Sequence, residues 1–223
     1  AWGIEVPDFV VVHRENVEIA PSAWATTEEH AFSIARFDRS DQGRVHMEDF
    51  CQAGNLPGFQ RSKYQSSVEY VMKVAYRNYD LLSLVECVRR TVFNILCGND
   101  DAHLKNWSLV YRDRRNAVLS PAYDLVCTAV YFDRPQDMAL KLCGKEISAD
   151  ICLNDFRSIA DMCRVGRGVI EEAVRSMIAE YGEALDMVEV PTSLTSINVR
   201  GRSLDLRPWL RDRYRRLSVS LLS

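Results

Sequence analysis

The stretch "DLLSLVECVRRTVFNIL", residues 80–96, limits what this chain can become more than any other segment. Leu82, Val85, Val88, Val92, Ile95 and Leu96 recur at three- and four-residue steps, the period of an α-helix. Apolar side chains cover so much of the circumference that no wide polar face is left for water. Such a helix is central, with neighbours on several sides. Gly98 ends it, because glycine takes the left-handed conformation of a helix C-terminus without steric cost.

The rest of the chain supplies the neighbours. Val68, Val71, Val74 and Ala75 share one helical face; "LNDFRSIADMCRV" is amphipathic, and in the next helix Val169, Ala173, Met177 and Tyr181 step by four. A last helix runs through "LRPWLRDRYRRLSVSLL". Ahead of these, Phe9–Val12 and Phe32–Phe37 carry the β-branched and aromatic residues of strands, separated by a turn, and "RSDQGR" is a second turn. "HMEDFCQA" reads as the start of a short helix, and "GNLPGFQRSKYQSS" as loop. Ser108–Tyr111 and Ala117–Leu119 form a hairpin around "RDRRN". The result is one mainly α domain of α+β class with a few strands near its front.

Composition excludes several roles. A formal charge of −3 over 223 residues lacks the basic excess of a nucleic-acid or anionic-membrane binder, although the C-terminal "RDRYRR" is locally cationic and reads first as a solvated helix face. No apolar run is long enough for a membrane span, and no signal peptide opens the chain. The seven cysteines (Cys51, Cys87, Cys97, Cys127, Cys143, Cys152, Cys163) are odd in number and form no C-x-x-C pair. They read as buried thiols in a reducing cytosol. The first residues, "AWGIEVPDFVVV", lack an initiator methionine, as expected of processing or of a segment cut from a longer protein.

The central helix breaks into the polar loop Gly98-Asn99-Asp100-Asp101-Ala102-His103-Leu104-Lys105-Asn106 before the hairpin begins. After the hairpin, "LSPAYDLV" sets Asp124 among apolar neighbours. Two strands joined by a tight turn bring the chain back to where it left, so Asp124 is expected beside Asp101 and Asn106. Phosphoryl transfer from ATP needs a carboxylate to position the acceptor and oxygen ligands for magnesium. In protein kinases an asparagine five residues after the catalytic aspartate binds metal, and a second metal-binding aspartate follows a hairpin. Asp101, Asn106 and Asp124 have that arrangement. The plainer readings are an Asx-turn or cap at Asp100 and Asp101, a loop histidine at His103, and a helix N-cap at Asp124. An Asp/His hydrolase metal centre is the chemical rival, and four histidines in the whole chain are few for it.

"GNDDAHLKNWS" with "LSPAYDLV" resembles the HipA-type serine/threonine kinases, toxins of bacterial toxin–antitoxin systems, whose loop has the form G-x-x-D-x-H-x-K-N-x-S with a later P-x-Y-D. "IARFDR" resembles their hinge strand, and "HMEDFCQ" and "SKYQ" the segments after it. The resemblance implies a protein-kinase-like fold: residues 1–40 as the remnant of an N-lobe with its hinge, and 41–223 as the helical C-lobe. It implies ATP and Mg²⁺ as cofactors, Asp101 as the catalytic aspartate, and Asn106 and Asp124 as metal ligands. His103, Lys105 and Tyr123 would lie at the nucleotide, and backbone groups of Arg36 and Phe37 would face the adenine. The family's hinge glutamate is Ala35 here. Implied partners are a protein substrate such as an aminoacyl-tRNA synthetase and an antitoxin, with DNA reached only through that antitoxin and no membrane. Residues 1–34 contain no lysine, so the lysine that kinases carry on an upstream strand would precede residue 1. Little or no kinase activity is therefore expected of this segment alone. The alternative is a catalytically silent module that binds an antitoxin or another protein.

Overall fold

In the computed structural model, which describes residues 3–18, 29–57, 61–187, 196–199 and 202–223, strands come first. β1 (Phe9–His13) and β2 (His30–Ile34) form an antiparallel ribbon with Phe9 opposite Ile34 and His13 opposite His30. The turn expected between them falls on residues 19–28, and part of the glycine-rich loop on 58–60; both lie outside the described residues. β2 stops at Ile34 instead of running to Phe37. There Arg36 folds onto Asp38, donating from Nε to Oδ1 at 2.8 Å and from Nη2 to Oδ2 at 2.7 Å, and the chain turns. Asp38 is buried, and the Arg36 guanidinium holds its carboxyl at about 2, with Arg39 adding to the effect against the cost of burial. A small hairpin follows, β3 (Arg39–Ser40) and β4 (Gly43–Arg44), with Gly43 at φ +106°.

The helix expected from His46 begins only at Phe50. His46–Asp49 is the strand β5, and α1 (Phe50–Ala53) is a single turn. Asp49 makes the switch: its Oδ1 accepts from Gln52 N, while Gln52 Oε1 accepts from Asp49 N, a reciprocal cap that starts the helix there. β5 is a strand because β6 (Ser108–Tyr111) offers it an edge, with His46 opposite Tyr111 and Asp49 opposite Ser108. β7 (Val118–Leu119) completes this three-stranded sheet on the other side of β6, forming the hairpin read from the sequence.

The helices pack around the apolar run of residues 80–96. α2 (Val68–Tyr76) buries Val68, Val71, Met72 and Ala75. α3 (Leu81–Cys97) is capped by Asp80, whose Oδ1 accepts from Ser83 N, and ends at Gly98 at φ +79°. Its buried face differs at the first turn from the one the spacing suggests: Leu82 is 83% exposed, while Leu84 and Cys87 are fully buried. Against α3 lie α2, α5 (Arg167–Met187) and α6 (Leu206–Leu222), and α4 (Leu153–Cys163) packs on α5. Phe93 of α3 meets Tyr181 of α5 edge-on at 5.7 Å, and Tyr181 stacks on Tyr214 of α6 at 6.0 Å. Arg89 of α3 donates to Glu180 and Ser176 of α5, so polar bonds flank the apolar contact. In α5 it is Ile170 that is buried, and Val169 is exposed. A further hairpin, β8 (Ser196–Val199) and β9 (Arg202–Asp205), precedes α6, in a stretch for which no element was expected. All seven cysteines are free thiols; Cys51, Cys87, Cys97 and Cys163 are buried as expected, whereas Cys127 and Cys152 are half-buried and Cys143 is exposed. No helix of the described residues is long and apolar enough to cross a membrane.

Candidate active site

Gly98 turns the chain off α3 and into the polar loop. The loop is stitched to the segment that follows β7. Ala129 N donates to Gly98 O at 2.9 Å, Asp100 N to Thr128 Oγ1 at 2.8 Å, and Ala139 N to Asp100 O at 2.7 Å. Asn99 is buried and spans the two segments: its Nδ2 donates to Asn94 Oδ1 on α3 and to the carbonyl of Asp124. These bonds fix the loop against the strand hairpin that carries Asp124.

Asn106 and Asp124 meet directly, Asn106 Nδ2 donating to Asp124 Oδ2 at 2.5 Å. Asp124 sits at φ +57°, a left-handed conformation uncommon for residues other than glycine. His103 N donates to Asn106 Oδ1 at 3.0 Å and to the carbonyl of Asp101 at 2.8 Å, so one amide ties the Asp101 backbone to the Asn106 side chain. The Asp101 carboxylate is exposed, and its Oδ1 accepts from the hydroxyl of Tyr64 at 2.9 Å. Thus Asn106 and Asp124 touch, and Asp101 joins them through the His103 amide.

His103 is buried, and its Nδ1 has no hydrogen-bond partner among the described residues. Burial, with Lys63 adding repulsion, lowers its pKa below the ordinary imidazole value and favours the neutral ring at pH 7. The Lys105 side chain is half-buried. Lys105 also anchors the loop through its carbonyl, which accepts from Tyr123 Oη at 2.8 Å; the same phenol oxygen accepts from Ser108 Oγ at 2.5 Å. Burial pushes the Tyr123 hydroxyl to about 12, so it stays a donor. The ring of Phe37 lies 5.5 Å from that of Tyr123, which brings the turn after β2 to the edge of the site, whereas the Arg36 side chain is taken up by Asp38.

The donor set suits a hard divalent cation. One carboxylate and one amide leave most coordination positions to phosphate oxygens and water, as magnesium prefers. Among the described residues no group of three or more His, Cys, Asp or Glu side chains converges as a metal site. Asn106 turns its amide N–H, not its oxygen, onto Asp124, so a cation held by both would replace that hydrogen bond.

Three contributors carry no role in the sequence reading. Tyr64 stands 37 residues before Asp101, in the "SKYQ" segment that the resemblance covers, where packing is the plainer expectation. Asn99 lies inside the loop, but nothing in its spacing tells that it reaches Asp124. Arg213 lies in the arginine run read as a solvated face, yet it points inward: its Nε donates to Ile95 O at 3.0 Å, its Nη2 donates to Ser148 Oγ at 3.0 Å and lies 3.9 Å from Asp100 Oδ1.

The architecture is that of the kinase-like proteins. HipA of Shewanella oneidensis, whose structure was solved with HipB and its operator DNA, superimposes with a TM-score of 0.65 at 18% identity, over 98% of this chain and 51% of that one. The Helicobacter pylori proinflammatory kinase CtkA gives a TM-score of 0.54 at 12% identity, over 99% of this chain and 78% of that one. Residues 1–188 match the model of the HipA-like C-terminal domain, and the chain belongs to that family. A Sinorhizobium fredii protein named as a candidate kinase is 32% identical over 180 residues, which is 80% of this chain and 44% of the relative. The chain spans less than half the length of the curated relatives it matches.

Proposed function

We propose that this chain forms the catalytic lobe of a cytoplasmic, ATP- and Mg²⁺-dependent serine/threonine protein kinase of the HipA toxin type. The observation that carries the reading is the meeting of Asn106 with Asp124, one shared amide away from Asp101. Residues 1–40 act as the end of an N-lobe with its hinge, and 41–223 as the helical C-lobe. The exposed apolar side chains Phe9, Val10, Val11, Phe32 and Ile34 on the β1–β2 ribbon support that division, since a larger sheet or lobe would cover them.

Asp101 orients the hydroxyl of a serine or threonine and takes its proton as the oxygen attacks the γ-phosphorus and ADP leaves. Magnesium, when bound, supplies charge neutralisation at the phosphate oxygens, with Asn106 and Asp124 as its protein ligands. Lys105 adds positive charge near the transferring group, while neutral His103 contributes a hydrogen-bonding ring and a backbone amide that orders the loop. Backbone groups of Arg36 and Phe37, backed by the Tyr123 ring, face the adenine.

Family membership supports an antitoxin as protein partner, with DNA reached through it, and an aminoacyl-tRNA synthetase as the substrate class. Asp101→Asn and Asp124→Asn in the complete protein test the assignment, scored by phosphorylation and growth arrest. Each is expected to lower transfer by about 100-fold or more. Activity near wild type in both variants defeats it, and a complete protein with no transfer at all favours the silent, antitoxin-binding module.

A further inference from the structure

Tyr64 lies in a 3₁₀ turn, Ser62–Tyr64, placed beside the Leu104–Asn106 turn of the catalytic loop. Its hydroxyl donates to Asp101 Oδ1 at 2.9 Å. The ring that carries this hydroxyl is braced on two sides. The imidazole of His103 meets it edge-on at 5.4 Å and 79°, and the Lys63 ammonium sits 4.8 Å from its centroid. His103 is itself buried, so one of these braces belongs to the fixed part of the loop. The ring is half open to solvent, 43% exposed, and packing into a core therefore explains little of its position.

A catalytic carboxylate at the surface has two freedoms that slow it: rotation about its side-chain bonds and exchange of its two oxygens. A hydrogen bond to one oxygen from a braced donor removes both. Asp101 Oδ2 has no hydrogen-bond partner among the described residues, which leaves that oxygen for an acceptor hydroxyl. We propose that Tyr64 is a positioning residue, holding Asp101 by Oδ1 so that Oδ2 meets the hydroxyl to be phosphorylated. This rests on the reading of Asp101 as the acceptor carboxylate. A lysine or arginine could not do the same work neutrally; the phenol supplies a directed donor without adding charge against Lys63.

The test is Tyr64→Phe in the complete protein, which keeps the ring and its contacts with His103 and Lys63 and deletes only the donor. Expected is a fall in kcat of about 10- to 100-fold, with KM for ATP and the melting temperature unchanged. In an Asp101→Asn background the same substitution is expected to add nothing. A Tyr64→Phe enzyme with wild-type kcat, alongside an inactive Asp101→Asn enzyme, overturns the role of Tyr64 and leaves the kinase reading standing. An Asp101→Asn enzyme as active as wild type overturns both. A faster Tyr64→Phe enzyme, or phosphate found on Tyr64 by mass spectrometry, shows instead that the phenol occupies the acceptor's place, and this also overturns the positioning role.

Discussion

Two adjacent aspartates end the polar loop's first turn, and their surroundings divide their work. Asp101 faces solvent, as its proposed role of meeting an acceptor hydroxyl requires. Asp100 is turned inward, and burial raises its pKa to about 6, with Arg213 at 3.9 Å offsetting only part of that. The sign follows from linkage. A carboxyl whose folded pKa lies above its unfolded value holds its proton more tightly when folded, so its ionisation costs stability as the pH rises from about 4 through 6. Asp100→Asn is therefore expected to gain stability relative to wild type as the pH rises from about 4 to about 6, read as urea midpoints across that range. A constant difference would show that Asp100 does not titrate in that window. The pairing of Asp100 with Arg213 was not legible in the sequence, because 113 positions separate them and the arginine run has the look of a solvated face. The nearness of Asn106 to Asp124 was legible for the opposite reason: the β6–β7 hairpin returns the chain by short-range rules.

The same contrast holds for the elements. α3 could be read from its period and its glycine stop, and its face was right from Val88 onward. It was wrong at the first turn, where Leu82 belongs to water and Leu84 to the core. Leu84→Ala is accordingly expected to cost roughly 2–5 kcal/mol and Leu82→Ala less than about 0.5, by chemical denaturation. Equal costs would contradict the assigned face. β5 was missed because "HMED" has no strand signature of its own; the edge of β6, about 60 residues later, makes it a strand. At Gly98 the backbone conformation and the space agree: φ is +79°, and an added Cβ would lie 2.9 Å from Ala129 Cβ and 3.1 Å from Trp209. Gly98→Ala is expected to destabilise by more than about 1 kcal/mol and to disturb the loop it opens, seen as a lower melting temperature together with reduced transfer. A neutral effect on both would show that the turn tolerates a side chain.

At the scale of the whole molecule, the helical bundle works as a base for one loop. α3 delivers it and α6 braces it through Arg213. The three-stranded sheet brings Asp124 to it, and the Ser62–Tyr64 turn closes over Asp101. The proposed assignment has Asn106 and Asp124 acting together on one cation beside Asp101. The Mg²⁺ dependence of phosphoryl transfer by the complete protein tests this most directly, comparing Asn106→Ala and Asp101→Asn with wild type. Asn106→Ala is expected to raise the half-saturating Mg²⁺ concentration by about tenfold or more, while any residual transfer by Asp101→Asn keeps the wild-type Mg²⁺ dependence. An Asn106→Ala enzyme with an unchanged Mg²⁺ requirement would contradict it.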